Sequence, residues 1–150
     1  DFFDFPRRLI QIRTQSPVMR RRRFFLGRRV HGVGVKDIRW LDTYGKDMTD
    51  EQWSSAYVRC LGMQLNGQAM EEYDEQGQPI TDGVYLLLVN SYWEDVPFKF
   101  PRRLRNDHWE VLVDTNKPER MEEDQMVSKK LTLHSRSLLL LKKKGPEGED

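Results

Sequence analysis

Two adjacent aromatic residues, Tyr92 and Trp93, are the side chains of this 150-residue sequence best suited to holding a ligand. They stand at a polar corner between an apolar run and an alternating one, where flat ring faces can stay open to solvent. Sugar rings stack their apolar faces on such surfaces. The default alternative for the same pair is packing against a neighbouring loop or domain. Trp40, Trp53 and Trp109 fall in patterns that read as buried.

Residues capable of covalent or proton-transfer chemistry are poorly arranged for it. Glycosidases need carboxylates that face each other across a substrate. Glu71 and Glu72, and the acidic cluster at 122–124, are instead sequence neighbours in polar loops, where side chains diverge into water. His31, His108 and His134 are far apart and match no metal spacing, and the serines lack an elbow motif. The single cysteine, Cys60, excludes an internal disulfide and a cysteine-based zinc site, and fits a reducing compartment. The reading therefore assigns no catalytic residue, no metal ligand and no cofactor.

The arginine run at 20–23, with Arg28 and Arg29, has the chemistry to bind phosphate backbones through counterion release. No aromatic ladder or recognition-helix pattern accompanies it, so a solvated or domain-contacting basic segment is preferred and no nucleic-acid partner is expected. Residues 1–30 carry nine Arg against two Asp, a net +7, whereas residues 31–150 carry sixteen Lys and Arg against 22 acidic residues, a net −6. The first fifth is thus chemically distinct from the rest. No apolar run approaches the ~18 residues of a membrane helix, so no membrane partner is expected. There is no initiator Met and no visible targeting segment, and a start at Asp1-Phe2-Phe3 reads as a chain cut from a longer polypeptide.

These residues need elements to position them. Asp4 suits a helix cap, Phe2, Phe5, Leu9 and Ile12 form an apolar stripe, and Pro17 stops the helix near Gln15 or Ser16. The stripe demands a partner. Without one, the helix is expected to fray, to dock non-natively on the body, or to be buried in a contact between molecules. Gly27, Gly32 and Gly34 mark a flexible approach to a strand at 38–41 and a turn at 42–46. Thr49 with Gln52 makes a capping box, flanked by Met48 and Trp53 as a hydrophobic staple. Leu61, Met63 and Leu65 alternate as the buried face of a strand that ends at the Asn66-Gly67 turn. A second turn falls at 75–78. The run at 84–91 reads as a strand buried on both faces, and 96–100 as one buried on a single face. Trp109, Val111 and Val113 alternate in a further strand, followed by strands at 131–133 and 137–141. Six or seven short strands without long intervening helices predict a mainly β fold, an antiparallel β-sandwich preceded by one N-terminal helix. The expected division is 1–34 helix and basic linker, 35–142 sandwich, and 143–150 flexible tail.

Read together, Arg7-Arg8-Leu9-Ile10, Pro17, the stretch Arg21-Arg22-Arg23-Phe24-Phe25-Leu26-Gly27, Gly34-Val35-Lys36-Asp37-Ile38-Arg39-Trp40, and Gly45 with Met48-Thr49-Asp50-Glu51-Gln52-Trp53 resemble the carboxyl-terminal part of bacterial glycogen debranching enzymes of the isoamylase type, in the α-amylase superfamily. The likeness continues through Arg59, Leu61-Gly62, Leu86-Leu87-Leu88-Val89-Asn90, Val96-Pro97-Phe98, Trp109, Asp114-Thr115 and Arg136-Ser137-Leu138. Ser16, where the family would have His, is one departure. The resemblance implies that the leading helix is the last of a (β/α)₈ barrel and that the sandwich is the accessory domain following it. It implies a cytoplasmic parent enzyme that hydrolyses α-1,6 branch points with two Asp and one Glu on barrel strands earlier in the polypeptide. None of these is carried over, so the segment is expected to stabilise the barrel of the same polypeptide without catalysing. The competing expectation is an independent α-glucan-binding module that uses Tyr92 and Trp93.

Overall fold

A computed structural model describes residues 3–29, 34–119, 126–127 and 129–144, with only the backbone pairing described at 126–127. Phe2, His31, Gly32, the acidic cluster at 122–124 and the tail beyond Lys144 lie outside the described residues. In chain order the elements are α1 (Asp4–Gln15), β1 (Ile38–Leu41), α2 (Asp50–Ser54), β2 (Cys60–Asn66), β3 (Glu72–Tyr73), β4 (Pro79–Ile80), β5 (Val84–Asn90), β6 (Val96–Lys99), β7 (Trp109–Asp114), β8 (Met126–Val127), β9 (Lys130–Leu133) and β10 (Ser137–Lys143). The fold is mainly β, with one longer helix at its start. Six strands form a sheet in the order β1-β2-β5-β10-β7-β8, and β6-β9 and β3-β4 form two-stranded sheets. The β10–β7, β7–β8, β6–β9 and β3–β4 pairs are antiparallel. The chain divides into two units, Asp1–Arg39 with Gln64–Tyr85, and Trp40–Met63 with Leu86–Asp150.

In the first unit, Pro17 ends α1 at Gln15 and Ser16 turns extended, because proline lacks the donor the next turn needs. Asp4 is the first helical residue, not the cap. Phe3 occupies the cap position without a side-chain bond, and Asp4 pairs instead with Arg7 at 3.3 Å, where the helix dipole favours negative charge. The helix is formed over all 12 residues, not frayed. Its stripe is divided, for Ile12 is buried and Leu9 is 39% exposed.

The basic arm that follows is fastened by carboxylates. Asp37, with a fully buried side chain, accepts from the backbone N–H groups of Leu26 at 2.7 Å, Gly27 at 2.9 Å and Ile38 at 2.8 Å. The Arg21 guanidinium adds a fourth bond at 3.1 Å, donates to the Met70 carbonyl at 3.3 Å, and lies 4.4 Å over the Phe25 ring. Glu72 Oε1 accepts from the Arg22 and Arg23 N–H groups, so this side chain is a tether and does not diverge into water as expected. Asp82 Oδ2 accepts from Val18 N–H, and the Tyr85 hydroxyl bridges Ser16 and Asp82. The turn after Asn66 needs glycine, since a Cβ on Gly67 would lie 2.4–2.6 Å from Asp82 atoms.

In the second unit, Leu41, Leu86, Leu88, Phe98, Phe100, Trp109 and Leu141 are fully buried. Phe98 of β6 reaches the backbone of β2 at Gly62, where a Cβ would stand 2.8 Å from the Phe98 ring and 3.0 Å from Leu88. Over the first part of β2 that close approach reverses the sequence expectation, with Cys60 and Gly62 buried and Leu61 and Met63 half-buried, whereas Leu65 is buried as expected. The alternation expected in β7 breaks as well. Leu140 pairs with Val113 but Leu141 with Val111, so Leu112 is the extra residue of a β-bulge, and it is buried while Val111 is half-buried. A bulge shifts side-chain parity on one strand, which no local pattern reports.

Candidate functional site

The site lies within the second unit, at the corner that follows β5. Asn90, the last residue of that strand, is buried at 1% exposure and organises the turn. Its Oδ1 accepts from Tyr92 N–H at 2.9 Å. Its amide nitrogen donates to the carbonyls of Glu94, Leu133 and His134 at 2.9, 3.2 and 3.1 Å. Ser91 adds two bonds, from N–H and from Oγ, to the Arg59 carbonyl, and Arg136 N–H donates to the Tyr92 carbonyl. Asp95 closes the turn by accepting from Ser135 N–H at 2.9 Å and meeting His134 Nδ1 at 3.2 Å. Those contacts, the Ser135 donor foremost, hold its carboxyl below the usual range. With the Ser91, Tyr92 and Glu94 backbones bonded, the corner presents its side chains in a defined geometry.

What it presents is the predicted aromatic pair. The Tyr92 and Trp93 rings lie 4.3 Å apart at an interplanar angle of 31°. Tyr92 is half-buried and Trp93 is 63% exposed. An open groove of about 610 Å³ runs along this stack, walled also by Met48, Tyr57, Val58 and Val96, with Asp42, Gln52 and Arg59 supplying charge and polarity. Its polar side is preset by α2. Thr49 and Gln52 cap each other through their side chains, as the sequence predicts, and Gln52 Nε2 donates to Asp42 Oδ2 at 3.2 Å. Asp42 Oδ1 meanwhile accepts from Tyr44 and Lys46 N–H in the turn after β1.

Among the described residues the groove is lined by one carboxylate, Asp42, whereas glycoside cleavage uses two. Burial pushes the Cys60 thiol up to about 11, so it is a protonated wall residue and not a nucleophile. Asp42 and Arg59 balance each other, which leaves a neutral groove of aromatic faces and hydrogen-bonding groups.

Other candidates from the sequence fall elsewhere. Trp109 is buried, but Trp40 and Trp53, expected in the core, are 39% and 50% exposed and form an edge-to-face pair at 5.5 Å. The helix that Met48 and Trp53 flank is five residues long with none of them buried, so the pattern that reads as burial marks only a local helix start. Of the arginine run, Arg21 is turned inward on Asp37 and Arg20, Arg22, Arg23, Arg28 and Arg29 are exposed. Among the described residues, no three His, Cys, Asp or Glu side chains gather to hold a metal ion, and no helix is long and apolar enough to cross a membrane. Sequence reasoning missed Asn90, whose signal is an amide ending an apolar strand just before a corner, and missed Tyr57, Arg59 and Asp42, which carry no signal of a shared wall.

Comparison with known proteins bears on most of this chain. A family model described as isoamylase, C-terminal, matches residues 37–142. Curated relatives named glycogen operon protein GlgX homolog, from Mycobacterium bovis and from two strains of Mycobacterium tuberculosis, are 37% identical over 119 residues, which is 79% of this chain. The match covers 16% of each relative's length.

Proposed function

The chain belongs to the isoamylase C-terminal family, and on that premise we propose that it is the non-catalytic accessory region of a cytoplasmic glycogen debranching enzyme, whose barrel it stabilises. In this reading residues 1–34 are the last barrel helix and its linker, 35–142 the sandwich, and 143–150 a tail. The parent hydrolyses α-1,6 branch linkages with carboxylates outside this chain. Its match to 16% of the length of relatives named for a glycogen operon supports a larger parent. The free, buried Cys60 fits a reducing compartment.

The observation that carries the reading is uncovered apolar surface on the leading segment: Phe3 is 64%, Ile10 64% and Phe24 94% exposed. Apolar side chains exposed to this extent are normally covered, and a barrel of the same polypeptide supplies the cover. The test compares the parent enzyme with a version lacking the region that corresponds to this chain. The truncated parent should unfold at a lower temperature and lose activity in step with folded fraction, while the isolated chain releases no reducing ends from glycogen. An unchanged melting temperature, or hydrolysis by the isolated chain, overturns the proposal.

A further inference from the structure

We infer that the groove beside Tyr92 and Trp93 is a glucan-holding site, binding a short run of α-linked glucose units without cleaving it. The identity of the sugar rests on the function proposed above; the geometry by itself fits a pyranose of either linkage.

Three independent observations support a ligand here. The first is rigidity. Exposed aromatic rings that only fill space need no dedicated holder, yet a buried asparagine makes four hydrogen bonds to keep this corner in shape. Binding to a preformed surface avoids the ordering cost that a floppy loop incurs. The second is the mixture of groups. A pyranose has an apolar face and a polar rim, and the groove offers the Trp93 face together with the Tyr57 ring, 89% exposed, next to Gln52 and the exposed Arg59 side chain. The third is charge and size. With one carboxylate and one guanidinium in its lining the groove has no net formal charge, which suits an uncharged polyol over an anion or a cation, and its volume of about 610 Å³ falls within the few hundred to about 1,000 Å³ typical of small-molecule clefts.

Such a site would keep a branched polymer beside the parent's barrel, raising the local concentration of branch points without altering the chemical step.

The test is calorimetric titration of the full chain with maltoheptaose, and with cellohexaose as the β-linked counterpart. The expected result is saturable binding of maltoheptaose, weakened about ten-fold or more by Trp93→Ala, the scale of losing one stacked ring. Tyr73→Ala removes an exposed aromatic ring that does not line the groove and should leave affinity unchanged. If Trp93→Ala proves misfolded by circular dichroism, Arg59→Gln replaces it, with weaker binding expected from the lost rim donor. Absence of binding up to about 10 mM sugar, or affinity indifferent to both groove variants, overturns the site. Equal affinity for cellohexaose overturns its assignment to α-glucan. A null titration here leaves the outcome of the parent truncation untouched, so the two failures are told apart.

Discussion

Asp37 takes four hydrogen bonds while its side chain is fully buried, and its ionic partner Arg21 is only 5% exposed. Burial alone would raise the carboxyl, but the Leu26, Gly27 and Ile38 N–H donors and Arg21 outweigh it and hold the group below the usual carboxylate range. Asp37→Asn keeps the shape and removes the charge, leaving a buried guanidinium uncompensated, and should cost about 3 kcal/mol in denaturant unfolding at neutral pH. The lowered value fixes the sign of the pH dependence: the stabilisation is complete above the unfolded carboxyl's pKa of about 3.9 and is lost as pH falls through the lower folded value. Melting temperature should therefore fall less steeply on acidification in Asp37→Asn than in the unaltered chain. An identical slope would dismiss the carboxylate as the source. Little local marks Asp37 as special, since three of its four donors come from residues 10 to 16 positions earlier. Tyr92 and Trp93 stand out in sequence because the polar corner around them is itself a local signal.

At the scale of elements, turns and caps were legible and strand faces were less so. The stop at Pro17, the capping box of Thr49 and Gln52, and the hairpin turn closed by Asp74 and Gly77 all depend on residues within a few positions of one another. Which face of β2 and β7 points inward depends on a ring arriving from β6 and on a bulge opposite Leu140 and Leu141. Gly62 tests the first of these. Adding a methyl at 2.8 Å from the Phe98 ring overpacks the contact, so Gly62→Ala should cost about 1–3 kcal/mol with the denaturant slope unchanged. A neutral outcome would mean that Phe98 moves aside freely and that β2 is not inverted by this contact.

On the scale of the whole molecule, the basic arm after α1 is bound by Asp37, Glu72 and Asp82 within its unit. Deleting residues 1–29 strips Asp37 of Arg21 and of two N–H donors, and should destabilise the chain by about 3–5 kcal/mol in chemical denaturation. Deleting residues 1–15 removes a helix whose apolar side chains are mostly exposed and should cost far less. Equal losses from the two deletions would contradict the carboxylate tethers as the source of the arm's attachment.

The sequence by itself determined the mainly β class, most strand positions, the turns and the adjacent aromatic pair, because alternation, caps and turn residues act over a few bonds and persist wherever the segment sits; the family came instead from residues matched in order along the chain. Only the tertiary structure decided that Trp40 and Trp53 face outward, that Arg21 is consumed by Asp37, and that Tyr57 and Arg59 share a wall with Trp93. Each of these depends on contact between segments that a local pattern cannot relate, such as the Ser91 bond to Arg59 across 32 positions, and chain folding alone sets which distant segments meet.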